Sequence, residues 1–299
     1  MHHTAGREAI EPRCAIGVKM SPMDSSNLKT KRPAHELGVL LRHWRDLRGK
    51  SQFDLSFDAG VSQRQISFIE TGRSAPNRQT LLDIAQALDI PLRDRNTLLL
   101  AAGYAPIYAE GAWNAPEMQS VTKALERMLR QHEPFPALVM DRYWNVLMTN
   151  DAAPRFFGCF IDMAARKAPR NMLHLLFDPN GMRPFIANWE DVAKSLFQRV
   201  YRESVGRVID EKTKALLAEL MAYPDVKTEW TTPIALSAMP VIPIGFVKGD
   251  NILSYFSMVT TVGTPQAIAA QELRIECMFP ADETTETNHL AMIGGAARS

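Results

Sequence analysis

Residues 51–73 read SQFDLSFDAGVSQRQISFIETGR, and this stretch decides how the first third of the chain folds. Ser51 has a side chain that accepts from the free amides of a helix start, so a helix begins at Gln52 with Phe53, Leu55 and Ala59 as its inward face. Gly60 ends it, because glycine takes the left-handed backbone of a helix C-terminus at no Cβ cost. Val61 is a small apolar plug between this helix and the next. Ser62 caps the second helix, whose Ile66 and Ile69 recur at i and i+3 and form one buried stripe.

The other side of that second helix carries Gln63, Arg64, Gln65 and Phe68. Gln and Arg have the bidentate geometry that matches adenine N6/N7 and guanine O6/N7, and an apolar ring suits the thymine methyl. Glu70-Thr71-Gly72 closes the helix, and Arg73 and Arg78 follow where a duplex backbone would pass, as phosphate contacts that position without specifying. Any single Gln or Arg here reads as solvated surface. The set, on one short helix behind a tight glycine turn, predicts a helix-turn-helix that binds double-stranded DNA. The alternative is a protein-interaction module, antitoxin-like or scaffold, with a purely dimerising second domain.

Flanking segments complete a five-helix bundle over residues 34–105. Residues 35–48 place Leu37, Leu40, Leu41, Trp44 and Leu47 on one stripe, with Arg42, Arg45 and Arg48 outside it. In residues 77–88, Leu81, Ile84, Ala85 and Leu88 repeat the pattern behind Asn77 as cap, and Pro91 opens a last helix that runs towards Gly103. Residues 1–33 read as a flexible tail. Residues 31–105 hold eleven Lys and Arg against eight Asp and Glu, whereas residues 135–299 hold sixteen against eighteen. So small a basic excess gives weak, salt-sensitive affinity per copy, and a homodimer is expected.

The run LLRHWRDLRGKSQFDLSFDAGVSQRQISFIETGRSAPNRQTLLDIAQALDI resembles the phage-repressor or Cro type of helix-turn-helix, the XRE family. The resemblance implies an all-α, lambda-repressor-like domain of five helices. It also implies that Gln52, after the first cap, touches a phosphate and braces Gln63, and that Gln63, Arg64 and Phe68 face the bases with Gln65 beside them and Ser62 at the helix start.

Residues 105–116 are rich in Pro, Gly and Ala and read as a connector to a helix at 119–132, where Val121, Leu125, Met128 and Leu129 share a face. Residues 106–134 form this linker and helix, which couples the domains, pairs across a dimer or packs on the second domain. That domain, 135–299, opens with FPALVMDRYWNVLMTNDAAPRFFG, read as strands at 137–140 and 144–148 around an Asp141-Arg142 turn. Asn150 and Asp151 then cap a helix presenting Phe156 and Phe157. Helices follow on both sides of the break at 178–181 and at 212–221, and strands return at 252–262 and 273–279. This is an α+β order.

Three stretches, PALVMDRYWNVLMTN, RNMLHLLF and NWEDVAK, resemble the PAS-like ligand-binding domain of MmyB-type regulators over residues 135–230. Beyond 230 the likeness fades, since many members carry HPxVGxLxL where this chain reads SAMPVIPIGFVKGDNILSYFSMVTT. The resemblance implies helices over one face of a curved sheet and a small apolar ligand, such as a fatty acid, between them. Trp144, Phe156, Phe157, Phe185, Trp189, Phe197 and Tyr201 are the aromatic candidates for its walls, with Arg170 or Arg183 for a carboxylate. Core packing is the competing role for each ring.

Signatures of catalysis are missing from the sequence: no GxSxG, HExxH, P-loop or GxGxxG occurs, and Asp141 and Asp151 read as a turn residue and a helix cap. The seven His residues and Cys14, Cys159 and Cys277 have no metal-ligand spacing. No enzyme activity, cofactor or metal is expected. Residues 231–247, TTPIALSAMPVIPIGFV, are apolar but broken by Pro233, Pro240 and Pro243 and shorter than the roughly 20 residues of a spanning helix. They read as a buried loop or strand. A cytoplasmic protein without a membrane partner is expected, one that joins DNA binding to effector sensing in one chain.

Overall fold

The computed structural model describes residues 33–166, 168, 170–205, 210–231 and 243–296. The tail read at 1–33, except its last residue, and most of the apolar run at 231–247 lie outside the described residues, as does Cys14.

Five helices form the first part of the fold: α1 Pro33–Leu47, α2 Gln52–Ala59, α3 Gln63–Glu70, α4 Arg78–Ala87 and α5 Leu92–Ala101. Their starts are fixed locally. Ser51 and Asp54 make a reciprocal capping box, each side chain accepting from the other's backbone amide, while Ser62 and Asn77 accept from the amides of Gln65 and Thr80. Gly60 sits at φ +64, the left-handed turn on which α2 ends. Leu37, Leu41, Trp44, Leu55, Ile66, Ile69, Leu81, Ile84, Leu98 and Leu99 bury their side chains together as one core.

One expectation for α2 fails. Phe53 is 66% exposed and Phe57 85%, so neither belongs to the inward face. Leu55 and the half-buried Ala59, four residues apart, define that face, and a residue two positions from Leu55 is turned about 200° away from it.

The chain then leaves α5 along residues 102–116, which are not a loose connector. Asn96 holds them against α5, its Oδ1 accepting from the amides of Ile107 (3.1 Å) and Tyr108 (3.2 Å) while its Nδ2 donates to the Tyr108 carbonyl (2.8 Å). Next come α6 Gln119–Gln131, β1 Ala137–Met140, β2 Val146–Thr149, α7 Ala152–Gly158, α8 Met172–Phe177, α9 Trp189–Val205 and α10 Glu211–Met221. β3 Ile244–Lys248, β4 Asn251–Thr260, α11 Ile268–Glu272, β5 Arg274–Pro280 and α12 Glu283–Ala296 complete the order. The strands form one antiparallel sheet ordered β2-β1-β5-β4-β3.

Side chains alternate across that sheet with a period of two. Leu138, Met140, Phe246, Leu253, Tyr255 and Met278 pack with α7 to α10 in the main core. Ala137, Val139 and Ile275 point the other way, under Leu125 and Leu129 of α6 and Ala270 of α11. Helices therefore cover both faces at β1 and β5, where coverage of a single face was expected, and all four residues of β1 are buried. The same contacts place α6 on the second domain. Among the described residues no helix is long and apolar enough to cross a membrane.

The β1–β2 turn is wider than the sequence suggested. Strand β2 begins at Val146, and Trp144 lies in the turn at φ +68 with its ring buried. Asp141 stabilises this turn by accepting from the amides of Tyr143 (2.8 Å) and Asn145 (2.9 Å). Asn150 does the capping ahead of α7, accepting from the Ala153 amide at 3.1 Å, and Asp151 makes no side-chain cap.

Candidate functional site

Helix α3 is set with Ile66 and Ile69 in the core and Gln63 and Arg64 exposed to solvent; Gln65 and Phe68 are half-buried at its flank. Arg73 and Arg78 are exposed beyond its end. The Arg64 guanidinium lies 5.1 Å from the centroid of the Phe68 ring and that of Arg73 lies 6.0 Å from it, so one aromatic platform gathers two cations. Arg78 lies over Tyr104 in the same manner, at 5.6 Å. This is a polar, cationic surface on the outside of a rigid helix.

What fixes α3 is a buried carboxylate at its last residue. Glu70 has a side chain only 1% exposed and receives Arg45 from α1 through both guanidinium prongs, Nε to Oε1 at 2.7 Å and Nη2 to Oε2 at 3.2 Å. Gln52 Nε2 of α2 donates to the same Oε2 at 2.9 Å, and Arg42 Nε is 3.5 Å away. Burial by itself raises the Glu70 pKa, but the hydrogen bonds from Arg45 and Gln52 and the charges of Arg45 and Arg42 outweigh it and hold the carboxyl below its usual range. Arg45, outside the apolar stripe, turns its guanidinium inward to Glu70, and the Gln52 side chain donates to the same carboxylate.

The second domain has an open cleft of about 730 Å³ beside α8, with Phe160, Leu175 and Phe185 as apolar wall and Arg166, Arg170 and His174 at its polar side. Arg166 is tied to Asp178 at 3.0 Å and to the Asn180 carbonyl; Arg170 donates to the Met163 carbonyl at 2.9 Å and is otherwise exposed. His174 meets Glu219 and the Tyr223 hydroxyl, each at 3.0 Å. A smaller apolar pocket of about 50 Å³ lies between β1, β2, α7 and α8, lined by Leu138, Val146, Phe157 and Met172. Arg170, Asn171 and Leu175 line both spaces, so a polar mouth adjoins a greasy recess. Among the described residues no group of three His, Cys, Asp or Glu is arranged to hold a metal ion.

Residues 121–290 match the family model of the MmyB-like transcription regulator ligand binding domain. The chain belongs to that family. Residues 41–94 match a helix-turn-helix model. No curated protein matches the chain. The MmyB-like match runs on through β3, β4 and β5, past residue 230, beyond which the quoted stretches no longer resemble the family. With both domains matched, this MmyB-like chain is a DNA-binding transcription regulator with a ligand-binding domain.

Within the MmyB-like domain the predicted ligand residues separate. Arg170, Phe157 and Phe185 line the two spaces. Phe156 lies at the centre of the core, in contact with Phe157, Phe160, Phe246, Tyr255 and His289. Phe197 stacks on Tyr201, Trp189 donates its Nε1 to the Leu176 carbonyl, and Trp144 has Arg199 and Arg274 over its ring, each at 5.1 Å. Arg183 is engaged with Asp225 and lies 3.8 Å from the Trp189 ring centroid, lining neither space. Sequence reading passed over Arg166, Asn171 and His174. Asn171 left a signal, a cap residue directly before MLHLLF, and its Oδ1 accepts from the Leu173 and His174 amides.

Proposed function

We propose that this regulator acts as a homodimer in the cytoplasm, with residues 34–105 reading an operator, 106–134 as connector and 135–299 binding an effector that changes operator affinity. Gln63, Arg64, Gln65 and Phe68 face base edges, Ser62 and Gln52 stand at the backbone side, and Arg73 and Arg78 meet phosphates. The observation that carries this reading is the split of α3, with Gln63 and Arg64 in solvent and Ile66 and Ile69 in the core. Recovery of bound fragments from sheared genomic DNA tests it: a shared motif with two related half-sites supports a dimeric reader, and recovery without any enriched sequence contradicts it.

The effector in this reading is a fatty-acid-like amphiphile. Its carboxylate pairs with Arg170, the exposed cation common to both spaces, while its chain lies against Phe185 in the cleft and Phe157 in the recess. Native mass spectrometry of the purified protein, or quenching of tryptophan emission on titration with a twelve-carbon carboxylate, tests this assignment. Absence of both signals leaves the cleft without an amphiphilic ligand.

A further inference from the structure

Helix α5 is the last helix of the DNA-binding bundle, and its first amide has no cap from its own domain, since Pro91 supplies no side-chain acceptor. The Leu92 amide instead donates to Gln271 Oε1 at 2.7 Å, across the domain boundary. Adjacent to Gln271, Glu272 ends α11 and takes both prongs of Arg93, Nε at 2.8 Å and Nη2 at 3.0 Å. A bidentate pair fixes orientation as well as distance. The second domain thus holds the bundle by its final helix through two consecutive residues.

Glu272 is also engaged from the other side. Arg142, in the β1–β2 turn, donates Nη1 to Glu272 Oε1 at 3.1 Å and Nη2 to Asp210 Oδ2 at 2.6 Å. Asp210 is the N-cap of α10, its Oδ1 accepting from the Thr213 amide at 2.8 Å. The far end of α10 is tied to the cleft through one lining residue, His174, whose Nε2 lies 3.0 Å from Glu219 Oε2. Arg142 and Glu272 are largely desolvated, with side chains 9% and 13% exposed, so neither has bulk water as an easy substitute partner.

We propose that Glu272 is an interdomain latch, shared between Arg93 of the DNA-binding bundle and Arg142 of the effector domain, through which the cleft and the DNA-binding surface are coupled. It rests on the function proposed above. Occupancy of the cleft displaces α10, Asp210 moves with it, and Arg142 shifts its hold on the oxygen that Arg93 also uses. Coupling between two bindings is reciprocal, so DNA bound by the bundle steadies α5, the latch and the α10 cap in turn.

The test is hydrogen exchange on the full-length chain, with and without a duplex recovered from genomic DNA. In wild type the duplex slows exchange in the first turn of α10, around Thr213, by about tenfold. Arg93→Ala binds the duplex yet loses that slowing, and Gln271→Ala, which removes only the cap on Leu92, weakens it; cooperative thermal unfolding of each variant shows that it is folded. Unchanged α10 exchange in DNA-bound wild type, or equal slowing in Arg93→Ala, overturns the latch and leaves DNA binding standing. Failure of wild type to bind any recovered duplex strikes the DNA-binding reading first, and the latch falls with it.

Discussion

Arg45 on α1 grips Glu70 at the end of α3 through both nitrogens of its guanidinium fork, 2.7 and 3.2 Å from the two carboxylate oxygens. The helix proposed to face DNA is therefore anchored by its C-terminal residue to the scaffold, leaving its N-terminal Gln63 and Arg64 presented from a fixed base.

Removing one partner of such a pair is worse than never having had it. Glu70→Ala removes the buried partner of Arg45 and of the Gln52 amide, leaving Arg45 only the Lys50 carbonyl and Asp46, and a loss of about 3 kcal/mol is expected in urea unfolding, with weaker binding to every duplex. The pH dependence has a definite sign. The folded carboxyl titrates below its usual range, so the contribution is present above the ordinary glutamate value and is lost as pH falls through the lower folded value. The stability gap between wild type and Glu70→Ala should close on acidification below about pH 4.

Gly38 explains why α1 lies so close to α3. A Cβ there would stand 2.3 Å from the Glu70 carbonyl oxygen and 2.7 Å from its carbon, both backbone atoms that cannot swing aside. Gly38→Ala should destabilise by about 2 kcal/mol, although alanine favours a helix by about 1 kcal/mol over glycine. A variant of equal or greater stability in chemical denaturation would show that α1 and α3 are less closely packed.

His289 is wholly buried between the Tyr255 hydroxyl, 2.6 Å from Nδ1, and the Pro134 carbonyl, 2.9 Å from Nε2. The carbonyl fixes a proton on Nε2, so Nδ1 accepts from the tyrosine. Burial lowers the imidazole pKa, partly opposed by the Pro134 carbonyl. Stability from the neutral ring is present above the ordinary imidazole value and is lost as pH falls from about 6.5 through the lower folded value. The melting temperature of wild type should drop over that range, and that of His289→Gln should drop less.

In the cleft, Arg170→Ala should weaken a bound carboxylate by about 1.5 to 3 kcal/mol in calorimetric titration. Arg183→Ala should leave it unchanged, because Arg183 is held by Asp225 and the Pro224 carbonyl and lines neither space. Equal losses in the two variants would move the carboxylate site away from Arg170.

Local features were legible in the sequence. Ser51, Gly60, Ser62 and Asn77 each act through neighbours a few residues away, and the Ile66/Ile69 stripe needs only helical geometry. Features that depend on distant partners were not. Nothing near Arg45 announces an acceptor 25 positions on. ALVM reads as a strand, yet the run alone does not reveal that α6 and α11 cover its second face. Aromatic residues alone do not mark a pocket wall, because Phe156 and Phe197 serve the core with the chemistry that would serve such a wall. The cleft's polar side comes from Arg166, Arg170 and His174, which the fold assembles from a loop and a helix.

The central claim is that the exposed side of α3 reads base sequence, and the most direct measurement compares wild type with Gln63→Ala, Arg64→Ala and Arg73→Ala on a selected duplex and a random one across salt concentrations. Gln63→Ala and Arg64→Ala should each lose about 1 to 3 kcal/mol on the selected duplex and far less on the random one. Arg73→Ala should weaken both alike and flatten the salt dependence. Equal losses on both duplexes from Gln63→Ala and Arg64→Ala would contradict the account.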